Sequence, residues 1–307
     1  MTRIACIGEC MVELVERADG LLARGFGGDT LNTAVYLARL GGSVDYLTAL
    51  GDDAWSEEML AAWRAEGVGA DRVLRLPGRM PGLYLIQTDA NGERRFSYWR
   101  DSAPARDLFR IAQTPALLDA LASYDLIYFS GITLSLYGED GRATFFTGLD
   151  RAKAGGARLA FDTNFRPRGW PDRDLARRAF GEALARADIA LCSTEDLEML
   201  FEQPARDALV PFGGIPELVL KEQTPGCQLV CDGTMVHVPA DSIADVVDTT
   251  AAGDSFAAAY LWARTGGAPP PDAARAGHRL AGTVVRYPGA IIPRGAMPAF
   301  ERWSCAR

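Results

Sequence analysis

The sequence predicts an α/β fold: a mostly parallel central sheet with helices on both faces and a small β flap attached to it. Short apolar runs rich in Val, Ile and Leu alternate with segments whose apolar residues recur every three or four positions. Strand and helix taking turns is the pattern of a parallel sheet covered on both sides. One stretch, Gly82 to Asp101, breaks that rhythm with two period-two runs around Asn91-Gly92, a strong hairpin signal. The 307 residues contain no internal repeat, low-complexity tract or Ser/Gly linker, so they read as one domain with an appended flap.

In chain order, Ile4 to Ile7 forms a first strand rather than a signal peptide, because neither a charged leader nor a long apolar core surrounds it. Leu126 to Ser130, Leu159 to Asp162, Ile189 to Cys192, Leu218 to Lys221 and Leu229 to Cys231 are the other short buried strands. Glu57 to Glu66, Ala143 to Ala154, Leu175 to Ala187 and Asp196 to Phe201 have helical spacing. In the second flap strand, Arg94, Phe96, Tyr98 and Arg100 share one face, and Arg95, Ser97, Trp99 and Asp101 share the other. Pro269-Pro270-Pro271 reads as a loop between two helices.

Composition removes several functions. Forty acidic residues against 32 basic ones give a formal charge of −8, which offers no attraction to a polyanion and argues against nucleic-acid binding. No stretch nears the roughly 18 apolar residues that span a bilayer, so no membrane association is expected. Six cysteines with no Cys-x-x-Cys pair, and only His237 and His278 to help them, make structural zinc improbable and fit a reducing cytoplasm. Neither histidine has a Gly-x-Ser-x-Gly turn to serve, so chemistry falls to carboxylates, arginines and backbone amides.

The most informative segment is Asp248-Thr249-Thr250-Ala251-Ala252-Gly253-Asp254-Ser255-Phe256, which opens a helix of small residues. Small side chains at a helix mouth leave backbone N–H groups open to an anion. Asp254 beside such a pocket is out of place if the pocket only holds an anion. It fits if Asp254 accepts a proton from a hydroxyl attacking a phosphoryl group while the amides stabilise charge. An ordinary helix-capping aspartate is the bland alternative. The whole string resembles the C-terminal signature of the PfkB, or ribokinase-like, carbohydrate kinases. That resemblance implies Asp254 as catalytic base and Ala251, Ala252 and Gly253 as the anion hole. It also implies a ribokinase-like three-layer α/β/α fold with a β lid, as a single domain over 1–307 with lid strands inserted at about 9–26 and 80–103.

A second segment, Gly27-Gly28-Asp29-Thr30-Leu31-Asn32-Thr33-Ala34, puts two glycines before a helix whose first turn carries Asp29 and Asn32. Read alone it is a capped helix after a turn. It is similar to the family's sugar-binding signature, in the form seen in the 2-keto-3-deoxygluconate kinases, which implies sugar contacts for Gly28, Asp29 and Asn32. In the flap, Tyr84, Tyr98 and Arg100 could present phenols and a guanidinium to one ligand, and arginine suits a carboxylate better than a neutral sugar. A solvated hairpin with snorkelling arginines is the alternative. The string Tyr98-Trp99-Arg100 is similar to the segment with which those kinases hold the keto acid.

Asp162-Thr163-Asn164-Phe165-Arg166 lies at a strand's carboxyl edge, where such sheets place ligands, and matches the family's Asp-x-Asn-x-Arg pattern. Arg166 could bridge substrate carboxylate and nucleotide phosphate, with Asn164 orienting them; a purely structural loop is the alternative. Three places depart from the family pattern. Ser193 stands where many relatives have Asn. Gln223 takes the first glycine of the nucleotide loop that runs from Lys221 to Gly226, which reshapes that loop. Asp248 and Gly289-Ala290-Ile291 lie where some relatives bind potassium. The expectation is therefore an ATP- and Mg2+-dependent kinase, with K+ as a further candidate ion at Asp248, acting on the terminal hydroxyl of a keto sugar acid. A homo-oligomer paired through the exposed hairpin edge is expected. The alternatives are a fructokinase or other sugar kinase of the same family, and a non-catalytic sugar-acid sensor.

Overall fold

The computed structural model describes residues 2–17, 19–88 and 94–301; the expected turn at Asn91-Gly92 lies outside the described residues. Along the chain, β1 (Arg3–Ile7), β2 (Met11–Glu16) and β3 (Leu22–Gly27) precede α1 (Asp29–Arg39). There follow β4 (Ser43–Leu47), β5 (Ala49–Leu50), α2 (Ala54–Ala65), β6 (Leu74–Arg75), β7 (Leu83–Thr88), β8 (Arg94–Trp99) and α3 (Thr114–Leu121). Next come β9 (Leu126–Ser130), α4 (Gly131–Leu136), α5 (Glu139–Ala154), β10 (Arg158–Asp162), α6 (Arg173–Arg186), β11 (Ile189–Ser193), α7 (Thr194–Phe201) and α8 (Ala205–Leu209). The last elements are β12 (Glu217–Lys221), β13 (Gly226–Cys231), β14 (Thr234–Pro239), α9 (Ala252–Thr265) and α10 (Pro270–Val284).

The central sheet runs β14-β13-β12-β11-β10-β9-β1-β4 and is parallel except where β13 and β14 turn back. Its side chains alternate between two cores. Ile4 and Cys6 of β1 pack with α1, α2, α9 and α10, while Ala5 and Ile7 pack with α3 to α8. Period-two alternation thus makes one strand the floor of two apolar layers, which gives the expected three-layer α/β/α architecture. Among the described residues no helix is long and apolar enough to cross a membrane.

A separate four-stranded sheet, β3-β2-β7-β8, forms the lid. In it Tyr84 faces Tyr98 across the β7–β8 ladder. Polar side chains mark the starts of several helices. Asp53 caps α2 through Trp55 N at 2.9 Å, Asp172 caps α6 through Leu175 N at 2.7 Å, and Ser130 caps α4 through Thr133 N at 3.2 Å. One expectation is corrected: Pro270 and Pro271 are the first residues of α10, not loop. Proline is tolerated there because a first-turn N–H has no partner to lose.

The far end of α9 is anchored by Glu217, which is buried at the start of β12. Its carboxylate accepts from Tyr260 Oη at 2.7 Å and from Arg264 Nη2 at 2.7 Å. Removing one member of a buried pair leaves the other charge uncompensated. Glu217→Ala is therefore expected to lower stability by about 3 kcal/mol, measured by urea denaturation; a loss near zero would show that the pair contributes nothing.

Candidate active site

In the strand order, β1 lies between β9 and β4, so the chain leaves β1 toward one side of the sheet and returns on the other. A parallel sheet opens a crevice at the carboxyl ends of its strands where the order reverses. Here that crevice is a cavity of about 840 Å3, floored by residues of α1, β10, β12 and α9 and roofed by the lid. Gly28, Asp29, Asn32, Tyr84, Tyr98, Asn164, Arg166, Ser193, Lys221, Ala251, Ala252, Gly253 and Asp254 all line it. Arg100, Gly226 and Asp248, three of the residues expected in the site, do not.

The anion-binding corner is built by Ala251. Its φ of 60° is in the left-handed region, which an L-residue enters only at a cost. That turn swings the chain directly into α9. Ala252 N donates to Thr249 O at 3.2 Å, and Ser255 N donates to Ala251 O at 2.9 Å as the helix begins. The Gly253 peptide lies exposed on the cavity wall at the positive end of the helix. A side chain added at Gly253 would stand 3.8 Å from Lys221 Nζ, so the ammonium and the helix mouth share one corner.

Asp254 sits in the first turn of α9, where Asn32 Nδ2 of α1 donates to its Oδ2 at 2.8 Å. Thr33 Oγ1 also donates to the Asp254 carbonyl at 3.2 Å, pinning α1 to α9. Protein packed around the half-buried carboxyl and the nearby Asp29 carboxylate raise its pKa from an ordinary 3.8 to about 8, although the Asn32 hydrogen bond pulls it down. Asp29 is oriented in turn. Its Oδ2 accepts from Ser130 Oγ at 2.5 Å and from Asn164 Nδ2 at 2.8 Å. Asn164 itself has a φ of 27°.

Lys221 Nζ pairs with Asp162 Oδ2 at 3.0 Å, both side chains being largely buried. Burial pushes the Asp162 carboxyl up while Lys221 pulls it down. Arg166 is mostly exposed and lies 3.5 Å from Asp196 Oδ1. Ser193 caps α7 through Asp196 N at 3.4 Å, so in place of asparagine it also starts a helix. Gln223 lines the cavity without a positive φ; the left-handed turn of that loop falls instead at Gly226, with φ 150°.

On the lid, Tyr84, Phe96 and Tyr98 form an aromatic face, with Tyr84 and Tyr98 ring centroids 5.9 Å apart. Tyr84 Oη donates to Glu13 Oε2. Gly27 makes room for that phenol, since a Cβ there would lie 2.1 Å from Tyr84 Oη. Glu9 holds one nitrogen of the Arg100 guanidinium, and Arg100 is not itself a lining residue. Asp248 accepts from Thr250 N at 2.9 Å and Gly289 N at 2.8 Å, and so ties the loop before α9 to the C-terminal loop. The residues not anticipated from the sequence are Asp162 as the partner of Lys221, Ser130 as a buttress of Asp29, and Glu9.

A carboxylate that can take a proton, a helix mouth beside an ammonium, and a lid with phenols over a polar floor together define a phosphoryl-transfer site for a small polyhydroxy substrate. The family model "pfkB family carbohydrate kinase" matches residues 1–296, and the chain belongs to that family. It is 45% identical to the 2-dehydro-3-deoxygluconokinase of Dickeya dadantii (strain 3937), covering 96% of this chain and 98% of that protein. The 2-dehydro-3-deoxygluconokinase of Escherichia coli (strain K12) is 42% identical, over 97% of this chain and 99% of that protein. A crystal structure of fructokinase with bound ATP from Xylella fastidiosa superposes with a TM-score of 0.84 at 25% identity, over 96% of this chain and 95% of that one.

Raising a carboxyl pKa makes the folded state bind the proton more tightly than the unfolded chain. Asp254 therefore costs no stability below about pH 4, and its penalty grows as pH rises through the window from 3.8 to about 8. Asp254→Asn should raise the melting temperature by several degrees at pH 8 and leave it nearly unchanged at pH 4. Equal shifts at both pH values, read by calorimetry, would count against the raised pKa.

Proposed function

We propose that this chain transfers the γ-phosphoryl group of ATP to the terminal hydroxyl of 2-keto-3-deoxygluconate, the 2-dehydro-3-deoxygluconate of its relatives' names, giving the 6-phosphate. The observation that carries this reading is Asp254 on the cavity wall, held by Asn32 and adjoining both the Gly253 peptide and Lys221. The relatives at 42–45% identity support the choice of sugar acid.

In this reading the substrate hydroxyl lies against Asp254 with the γ-phosphorus beyond it. The hydroxyl oxygen forms a bond to phosphorus as the bond to the β,γ-bridging oxygen breaks. ADP leaves with that electron pair, and the hydroxyl proton passes to the Asp254 carboxylate. In a loose transition state the proton moves late, so a carboxylate with a raised pKa is a sufficient base. The Gly253 amide and Lys221 stabilise the phosphoryl oxygens, and Asp29 and Asn32 hold sugar hydroxyls. Tyr84, Tyr98 and Arg100 cover the acid end from the lid, which also keeps water from the phosphoryl group.

The cavity suits a nucleotide triphosphate because its nucleotide end pairs an open helix mouth with an ammonium. Among the described residues no three His, Cys, Asp or Glu side chains converge into a metal cage. This suits Mg2+ carried on the nucleotide phosphates, where it would neutralise their charge, with Asp162, the partner of Lys221, and Asp196 among the lining carboxylates. Potassium fits less readily at Asp248, whose oxygens already accept from Thr250 and Gly289.

A coupled assay of ADP release decides the function. ADP formation is expected with the keto acid, and little with fructose or without sugar; a fructose rate matching the keto acid's would favour the fructokinase reading, and no turnover with any sugar would favour a sensor. Asp254→Asn should retain keto-acid binding and lose kcat by about 10^3-fold or more. Because the base works ionised, kcat/KM should rise with pH, reach half its maximum near pH 8, the value set by burial and Asp29, and level off about one pH unit higher. A profile flat from pH 6 to 9 would remove Asp254 from that role.

A further inference from the structure

The lid is tied to the core by a buried ion pair that is only half made. Glu9 follows β1 at the carboxyl edge of the central sheet, with its side chain 1% exposed; Arg100 follows β8 and is 19% exposed. Arg100 Nη2 donates to Glu9 Oε2. Arginine and carboxylate commonly meet through two parallel contacts. Here Arg100 Nε and Glu9 Oε1 are both buried, and neither finds a partner among the described residues.

Gly82 adjoins both residues: a Cβ there would lie 3.0 Å from Glu9 Oε1 and 3.0 Å from the Arg100 Cβ. The guanidinium carbon lies 5.9 Å from the ring centre of Tyr98, which is itself a cavity residue. Burial raises the Glu9 carboxyl and Asp29 adds to that push, while Arg100 and, more weakly, Arg106 oppose it. A well-packed apolar residue in place of so deep an ion pair is often no less stable. The half-made pair therefore calls for a reason in what the arginine does.

We propose that Glu9 is the positioning residue for Arg100, gripping one nitrogen of the guanidinium from the core side so that Nη1 is presented to the substrate carboxylate above Tyr98. The assignment rests on the sugar-acid reading above. The anchor belongs to the sheet and the arginine to the lid, so the same contact sets the height at which the lid meets the acid. Glu9 thereby acts on acid recognition while remaining outside the reacting atoms.

Glu9→Gln keeps the shape and removes the charge. It is expected to raise KM for the keto acid about tenfold, with kcat and the KM for ATP held within about twofold. In an Arg100→Ala background the same replacement should add nothing further to KM, because the residue it positions is gone. An unchanged KM, or full additivity of the two replacements, overturns the assignment. Should Glu9→Gln fail to fold, Glu9→Asp, which keeps the charge but shortens the reach, is read in the same way. There, parallel losses in kcat and in ATP affinity would mark a merely structural pair and overturn the proposal. If the unaltered protein phosphorylates no keto acid, the substrate reading itself has failed, a result distinct from turnover that ignores Glu9.

Discussion

Crowding of negative charge around Asp254 is the constraint on which the site depends. Asp29 and Asp162 both push its carboxyl upward, and the cavity wall also carries Asp196. Left in water, these groups would ionise independently. In a crevice between helices and sheet they cannot, so the fold must supply hydrogen bonds and cations locally. Asn32 does so for Asp254, Ser130 and Asn164 for Asp29, and Lys221 for Asp162. Each compensating group comes from a different segment of the chain, so the three-layer architecture is needed to balance charge as well as to bury apolar surface.

That balance also explains why the site suits a phosphoryl donor. A cluster of carboxylates repels a polyphosphate unless positive charge is offered at the right end. The α9 mouth and Lys221 offer it at one corner of the cavity. Asp254 lies beside that cationic corner on the cavity wall, and its surroundings let it hold a proton near neutrality. The cost is borne in stability above mild acid, as is common where a carboxyl is retained for chemistry.

Much of this was legible in the sequence because it is local. Gly253-Asp254 and Gly28-Asp29 through Asn32 are short strings whose geometry follows from a helix start, and both lie where those strings imply. Six of the eight strands of the central sheet announced themselves as apolar runs, and the flap by its period of two, whereas β4, broken by Asp45, and β14, mostly exposed at the sheet's edge, did not. What could not be read is pairing between distant segments. Arg100 has the residue type of a carboxylate clamp, but its capture by Glu9, ninety-one positions away, depends on how the lid seats on the sheet. Lys221 and Asp162 sit on strands separated by β11, and no spacing rule joins them. The proline run at the start of α10 was misread for a different reason, since proline marks loops and first helical turns equally well.

The carboxylate of Asp248 reaches from the loop before α9 to the Gly289 amide, and Tyr36 Oη of α1 donates to the Ala290 carbonyl at 2.7 Å. The entrance to α9 is thus braced by a turn 254 positions beyond Tyr36 in sequence. A chain emerging from the ribosome carries α1 early, but this brace forms only after Gly289 and Ala290 have been translated. Shorter products would hold α1 and α9 without the contacts that seat both against the turn at Gly289 and Ala290.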